Sequence, residues 1–216
     1  PVFALKADLG SWWPGWTVLN LQSLGNDVGV SHITARAWLT ILEASFVSQF
    51  LAPTLARQRC QAVDQVTKLY FYDVGLAAFL LRLENEKQAS RDPLRGNLFE
   101  NMVIMEALNG ATTGDCATIS FFYRESNGNE VDLIAENGRD ILAVEIKSGA
   151  TVNPDFFKGL LHFKKAVGPN RIVRGGIAYG GDEMQKRSDI PVYPLTRCEE
   201  LLDVQKEKTL EEPKTK

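Results

Sequence analysis

The sequence predicts an α/β chain with two successive regions. A helix-turn-helix and a strand come first; a helix, a three-stranded meander, a second helix and a further strand follow. Three observations predict it. Residues 19–44 hold two apolar patterns of helical period separated by Gly29, Val30 and Ser31. Asn-Gly dipeptides at 127–128 and 137–138 each separate a pair of short alternating runs, and Asn-Gly supplies the positive φ that a tight hairpin turn needs. Asn153, Pro154 and Asp155 then form a helix start, with a cap, a proline in the first turn and an acid just inside.

The elements follow in order. Trp12, Trp13 and Trp16 around Pro14 and Gly15 read as an irregular aromatic segment. Residues 19–28 form a short helix. Ser31 caps a longer one over 32–44, with Ile33, Ala37, Leu39, Ile41 and Leu42 at mostly helical spacing. In DNA-reading versions of this motif the second helix enters the major groove. Here it offers only His32 and Arg36 as donors beside a half-buried Trp38, so a structural or inter-domain role suits it better. Phe46 to Leu51 alternates like the first strand of a wing. A polar connector occupies 52–67, a strand 68–72, a capped apolar helix 73–81 and a charged loop 85–93. Helix 98–108 buries Phe99, Met102, Val103 and Ala107, with Glu100 beside that stripe. Strands at 118–124, 129–136 and 141–148 make the meander. Helix 154–167, strand 172–179, a short strand at 191–195, a helix at 198–204 and a charged tail complete the chain. Divisions are expected at 1–66, 67–196 and 197–216.

Composition excludes several classes. A net charge of −3 gives no global basic field, so nucleic-acid binding needs a local patch. No apolar run reaches membrane-spanning length, and residues 1–16 lack a signal-peptide layout. Three cysteines without CxxC spacing point away from a disulfide framework or zinc site and towards a reducing cytoplasm. Two histidines leave little room for histidine-centred hydrolysis. The chain has no GxxxxGK[ST] loop, so ATP binding of that kind is not expected of it.

The chemistry concentrates between Asn129 and Lys147. With a two-residue loop at 137–138, Glu136 faces Arg139, Asp132 faces Ala143 and Glu130 faces Glu145. Asp132, Glu145 and Lys147 then share one face of the hairpin. Mg²⁺ takes hard oxygen ligands and keeps several waters, so two carboxylates plus a substrate phosphate suffice. Asp132 and Glu145 would hold Mg²⁺ or Mn²⁺ with the carbonyl of Ile146 between them, and Lys147 would orient water or stabilise transition-state charge. The same spacing also suits a solvated sheet face carrying cross-strand ion pairs. Arg36, Arg124, Lys158 and Lys164, with Lys165 and Arg139, are the candidate phosphate contacts.

The order helix, three-strand meander, helix, strand, with an acid on the first helix, an aspartate on the second strand and Glu145-x-Lys147 on the third, resembles the PD-(D/E)XK, or restriction-endonuclease-like, nuclease superfamily. That resemblance adds Glu100 to the catalytic candidates Asp132, Glu145 and Lys147. Val131 stands where the motif's proline would be. The phrases at 28–45, 68–76, 95–103 and 156–160 look like the C-terminal half of prokaryotic AAA-type ATPases, a winged helix followed by a domain of unknown function. The family's connector is often basic; 61–66 here is not. The resemblance implies an N-terminal winged helix-turn-helix, a restriction-endonuclease-like αβββαβ core, a Mg²⁺-dependent DNA nuclease module and an ATPase partner in cis. The alternative is a catalytically inactive module that docks DNA or protein.

Overall fold

The computed structural model describes residues 19–53, 67–112, 119–125, 128–137, 140–168 and 171–202. The tryptophan-rich segment, most of the connector, Arg139 and the charged tail lie outside them. The described chain is a mixed α/β protein of seven α-helices and two sheets. It forms two compact units, divided between Met105 and Glu106.

The first unit begins with α1 (Leu21–Val28) and α2 (His32–Ala44). Asn20 caps α1 by accepting from the backbone N–H groups of Gln22 and Ser23, and Ser31 caps α2 through Thr34. Gly29 ends α1 at φ 72°, a left-handed conformation that costs glycine little. Leu24, Ala35, Leu39 and Leu69 make the core of this unit, with Leu42 packed against it. The inward face of α2 is therefore 35, 39 and 42, which takes Leu39 and Leu42 from the apolar pattern and leaves its other members out. Ile33 and Ile41 lie at 68% and 61% exposure, and Ala37 is exposed with them. The alternative stripe wins because Ala35, Leu39 and Leu42 keep the i, i+4, i+7 spacing of one helical face.

β1 (Ser48–Leu51) pairs antiparallel with β2 (Lys68–Phe71) in a two-stranded sheet. Asp73 caps α3 (Val74–Leu80). Residues 86–91, expected as loop, form α4 (Glu86–Arg91), because Asn85 accepts from Gln88 N–H and an acid and an arginine sit at the favourable ends. The long α5 (Arg95–Thr112) follows and contains the division. From it Asn101, fully buried, accepts from Phe71 N–H at 2.7 Å and donates to Phe71 C=O at 2.8 Å. Asn101→Ala strands both backbone groups in a dry site. It should cost about 1–3 kcal/mol in urea denaturation, and an unchanged stability would contradict this role.

The second unit is built on a six-stranded sheet in the order β3-β4-β5-β6-β8-β7. Its strands are β3 (Ile119–Arg124), β4 (Glu130–Asn137), β5 (Asp140–Lys147), β6 (Ile172–Tyr179), β7 (Gln185–Arg187) and β8 (Ile190–Pro194). The meander β3-β4-β5 is antiparallel; β6 runs parallel to both β5 and β8. The three-residue strand β7 is too short for the sequence pattern to predict. Asn153 caps a 3₁₀ turn (Pro154–Phe157) that leads into α6 (Lys158–Val167), and α7 (Cys198–Leu202) ends the described chain. Leu160 and Phe163 of α6 pack on Ile134, Ile141, Ala143 and Ile177 of the sheet. Each such side chain, fully buried, contributes roughly 1.5–3 kcal/mol.

The hairpin register differs from the expected one by two residues. Asn137 pairs with Asp140, Glu136 with Ile141 and Ile134 with Ala143. Asn137 is thus the last residue of the strand rather than the first of the turn. An even shift preserves the faces, whereas a shift of one would have inverted them.

Candidate functional site

Two irregularities in the second unit shape the site. The first is a bulge between β3 and β4. Phe121 pairs with Ile134 and Tyr123 with Val131, so Phe122 alone faces the two residues Asp132 and Leu133. Such an extra residue breaks alternation and re-aims side chains. Here Val131 and Ile134, three apart, join the same core, with Asp132 between them. The second irregularity lies at the end of the β4-β5 ladder. Pairing stops at Leu133 and Val144, and beyond it the Asp132 carboxylate accepts from Ile146 N–H at 2.8 Å.

Asp132 and Glu145 are buried, at 6% and 7% exposure, and Lys147 is half-buried beside them. The Lys147 ammonium donates to Glu145 Oε1 at 2.5 Å and lies 3.7 Å from Asp132 Oδ2. The other Glu145 oxygen, Oε2, is buried with no hydrogen-bond partner among the described residues. A buried acceptor left in that state is rare in folded proteins. The Glu145 carboxyl is pushed up to about 8, first by burial and next by the charge of Asp132, with the Lys147 ammonium pulling the other way. The arrangement is a buried acid pair holding one cation, with a lone acceptor to spare.

Gly159, in the first turn of α6, closes one side. A Cβ there would stand 2.1 Å from the Glu130 carbonyl oxygen and 3.0 Å from Glu145 Oε2. The absence of a side chain lets the helix sit against the acid. Nothing in the sequence around this glycine marks it as belonging to the site.

Glu100 belongs to the first unit, on α5, where it accepts from Lys68 Nζ at 3.0 Å and Tyr70 OH at 2.7 Å. Lys68 is itself buried, so this is a buried ion pair reinforced by a phenol. Arg36 is exposed on α2. Arg124 lies 3.8 Å from Glu130. Lys158 pairs with Asp155 at 2.5 Å on the surface, and Lys164 occupies the last turn of α6. The structure joins Asp132, Glu145 and Lys147. Among the described residues no three His, Cys, Asp or Glu side chains cluster as a metal site, and no helix is long and apolar enough to cross a membrane.

Two family models match the chain. Residues 7–87 are similar to a domain of unknown function (DUF8612), and residues 95–198 to a second domain of unknown function (DUF4143). The second match spans Glu100 together with Asp132, Glu145 and Lys147. None of the curated proteins matches the chain.

Proposed function

We propose that the second unit is a restriction-endonuclease-like core and the chain a Mg²⁺- or Mn²⁺-dependent DNA nuclease module. The observation that carries the reading is the buried Asp132–Glu145 pair with the unpartnered Oε2. Both residues offer hard oxygen donors, and two carboxylates leave room for the waters and substrate phosphate that Mg²⁺ keeps. Asp132 and Glu145 would hold the ion, with the Ile146 carbonyl as a third donor. The ion, when bound, supplies charge neutralisation at the phosphoryl oxygens.

The chain's own residues do the rest. Ile146 N–H fixes one Asp132 oxygen, so the carboxylate is oriented before any ligand arrives. Lys147, bridging the acids, moves its ammonium towards the scissile phosphate and stabilises charge there. The α6 helix keeps bulk water from Glu145. The helix pair and the β1-β2 sheet of the first unit support a winged-helix reading, and the phrases shared with AAA-type ATPases support an ATPase domain in cis.

A second reading has its own support. Ile33, Ile41 and the 74%-exposed Phe46 are large apolar side chains exposed on the first unit, which suits docking to protein better than to DNA. One assay separates the two readings. Single-stranded, duplex and branched DNA are incubated with Mg²⁺ or Mn²⁺ and either wild type or Asp132→Ala. Cleavage reduced by roughly 10²-fold or more in the variant is expected. Undiminished cleavage by the variant, or none by folded wild type, contradicts the nuclease reading and favours docking.

A further inference from the structure

The charged side chains that meet at the acid pair are not held alike. Asp132 is oriented by Ile146 N–H at 2.8 Å, and Glu145 lies against the first turn of α6 at Gly159. Each acid side chain is 9% exposed, against 34% for Lys147. The backbone of Lys147 is fixed as well. It is the last residue of β5, it pairs with Tyr179 of β6, and its carbonyl accepts from Gly180 N–H at 3.0 Å. Movement is therefore left to the four-carbon stem, which carries a point charge on rotatable bonds and reaches solvent.

The ammonium stands where an incoming cation is wanted. It lies 2.5 Å from Glu145 Oε1 and 3.7 Å from Asp132 Oδ2, so one positive charge already serves both carboxylates. A second cation on either acid would face this like charge at close range. Both acids are buried, and between buried groups charges are screened little. Keeping both cations on the pair is unfavourable. Of the two, the half-exposed lysine on its flexible stem is the one that can leave. While its ammonium donates to Glu145, it is turned to the acids rather than to a substrate phosphate.

We propose, resting on the divalent-site reading above, that Lys147 is a latch on the acid pair. In the metal-free chain its ammonium closes the pair, and a divalent cation opens it by taking the ammonium's place. The displaced lysine is then presented to substrate. Cation binding thus arms the site, and without it the chain holds its own lysine out of action.

The test is acetylation of lysine amines in the whole chain, read residue by residue by mass spectrometry. A nitrogen donating to a carboxylate is protected, and one released to solvent reacts. Wild type and Asp132→Ala are each labelled in Mg²⁺ and in EDTA with NaCl at equal ionic strength. In wild type, Mg²⁺ should speed labelling of Lys147 by roughly fivefold or more, beyond what an exposed ion pair is worth. The exposed Lys158 and Lys165 should label at the same rate in both conditions. In Asp132→Ala, Mg²⁺ should leave Lys147 unchanged. Mn²⁺ binding with Mg²⁺ in competition, followed by electron paramagnetic resonance on wild type, separates the ways of failing. An ion that binds without speeding Lys147 overturns the latch and leaves the cation site standing. No bound ion overturns both. An equal rise in Asp132→Ala overturns the latch, because the ion would then act from elsewhere.

Discussion

Glu145→Gln is expected to raise, not lower, the stability of the metal-free chain at alkaline pH. The reason is that Glu145 is buried beside Asp132 and its carboxyl is held up at about 8, against an ordinary value of 4.5. As pH rises from 4.5, the unfolded chain releases this proton while the folded one keeps it. Stability from this group therefore falls through the window from 4.5 to 8, and levels once the folded form also ionises. Glutamine keeps the shape and removes the titration. The gap between variant and wild type should grow across that window to the order of several kcal/mol, since each tenfold change in proton affinity is worth about 1.4 kcal/mol. Urea denaturation in EDTA at the two ends of the window measures it. A variant no more stable than wild type at the alkaline end, or one with the same pH slope, contradicts the account.

Gly159→Ala is expected to destabilise the second unit, although alanine is the better helix former by about 1 kcal/mol. Propensity loses because the new methyl would sit 2.1 Å from a backbone carbonyl, that of Glu130, which no rotamer change can move aside. The helix must lift instead. Overpacking of this kind costs about 1–3 kcal/mol, and here it also disturbs Glu145 Oε2, 3.0 Å from the same point. Thermal unfolding should show a lowered Tm. A Tm equal to or above that of wild type would mean that α6 does not press on the acid site as described.

The pairing behind the first prediction was legible in the sequence, whereas the contact of Gly159 behind the second was not. Element order was legible because caps and turns are local chemistry: Ser31, Asp73 and Asn153 each cap the helix they were expected to begin or lead into. The convergence of Asp132, Glu145 and Lys147 was legible because period-2 alternation decides faces, and the two-residue register error left that parity intact. What stayed hidden depends on neighbours distant in sequence. The bulge at Asp132 is a property of how β3 lies against β4. The inward face of α2 is set by what it packs on, and Ile33 and Ile41 look as apolar in sequence as Leu39 does. Asn101 reads as an ordinary polar helix residue until the backbone of Phe71 is beside it. Glu100 offered a motif position and no clue that Lys68 and Tyr70 hold it.

Whether Asp132 and Glu145 form a divalent-cation site is decided by Mn²⁺ titration followed by electron paramagnetic resonance. Wild type should bind one ion per chain, with Mg²⁺ competing, and both Asp132→Ala and Glu145→Gln should lose that binding while remaining folded by circular dichroism. Undiminished stoichiometric binding in either variant, or none in wild type, would contradict the claim.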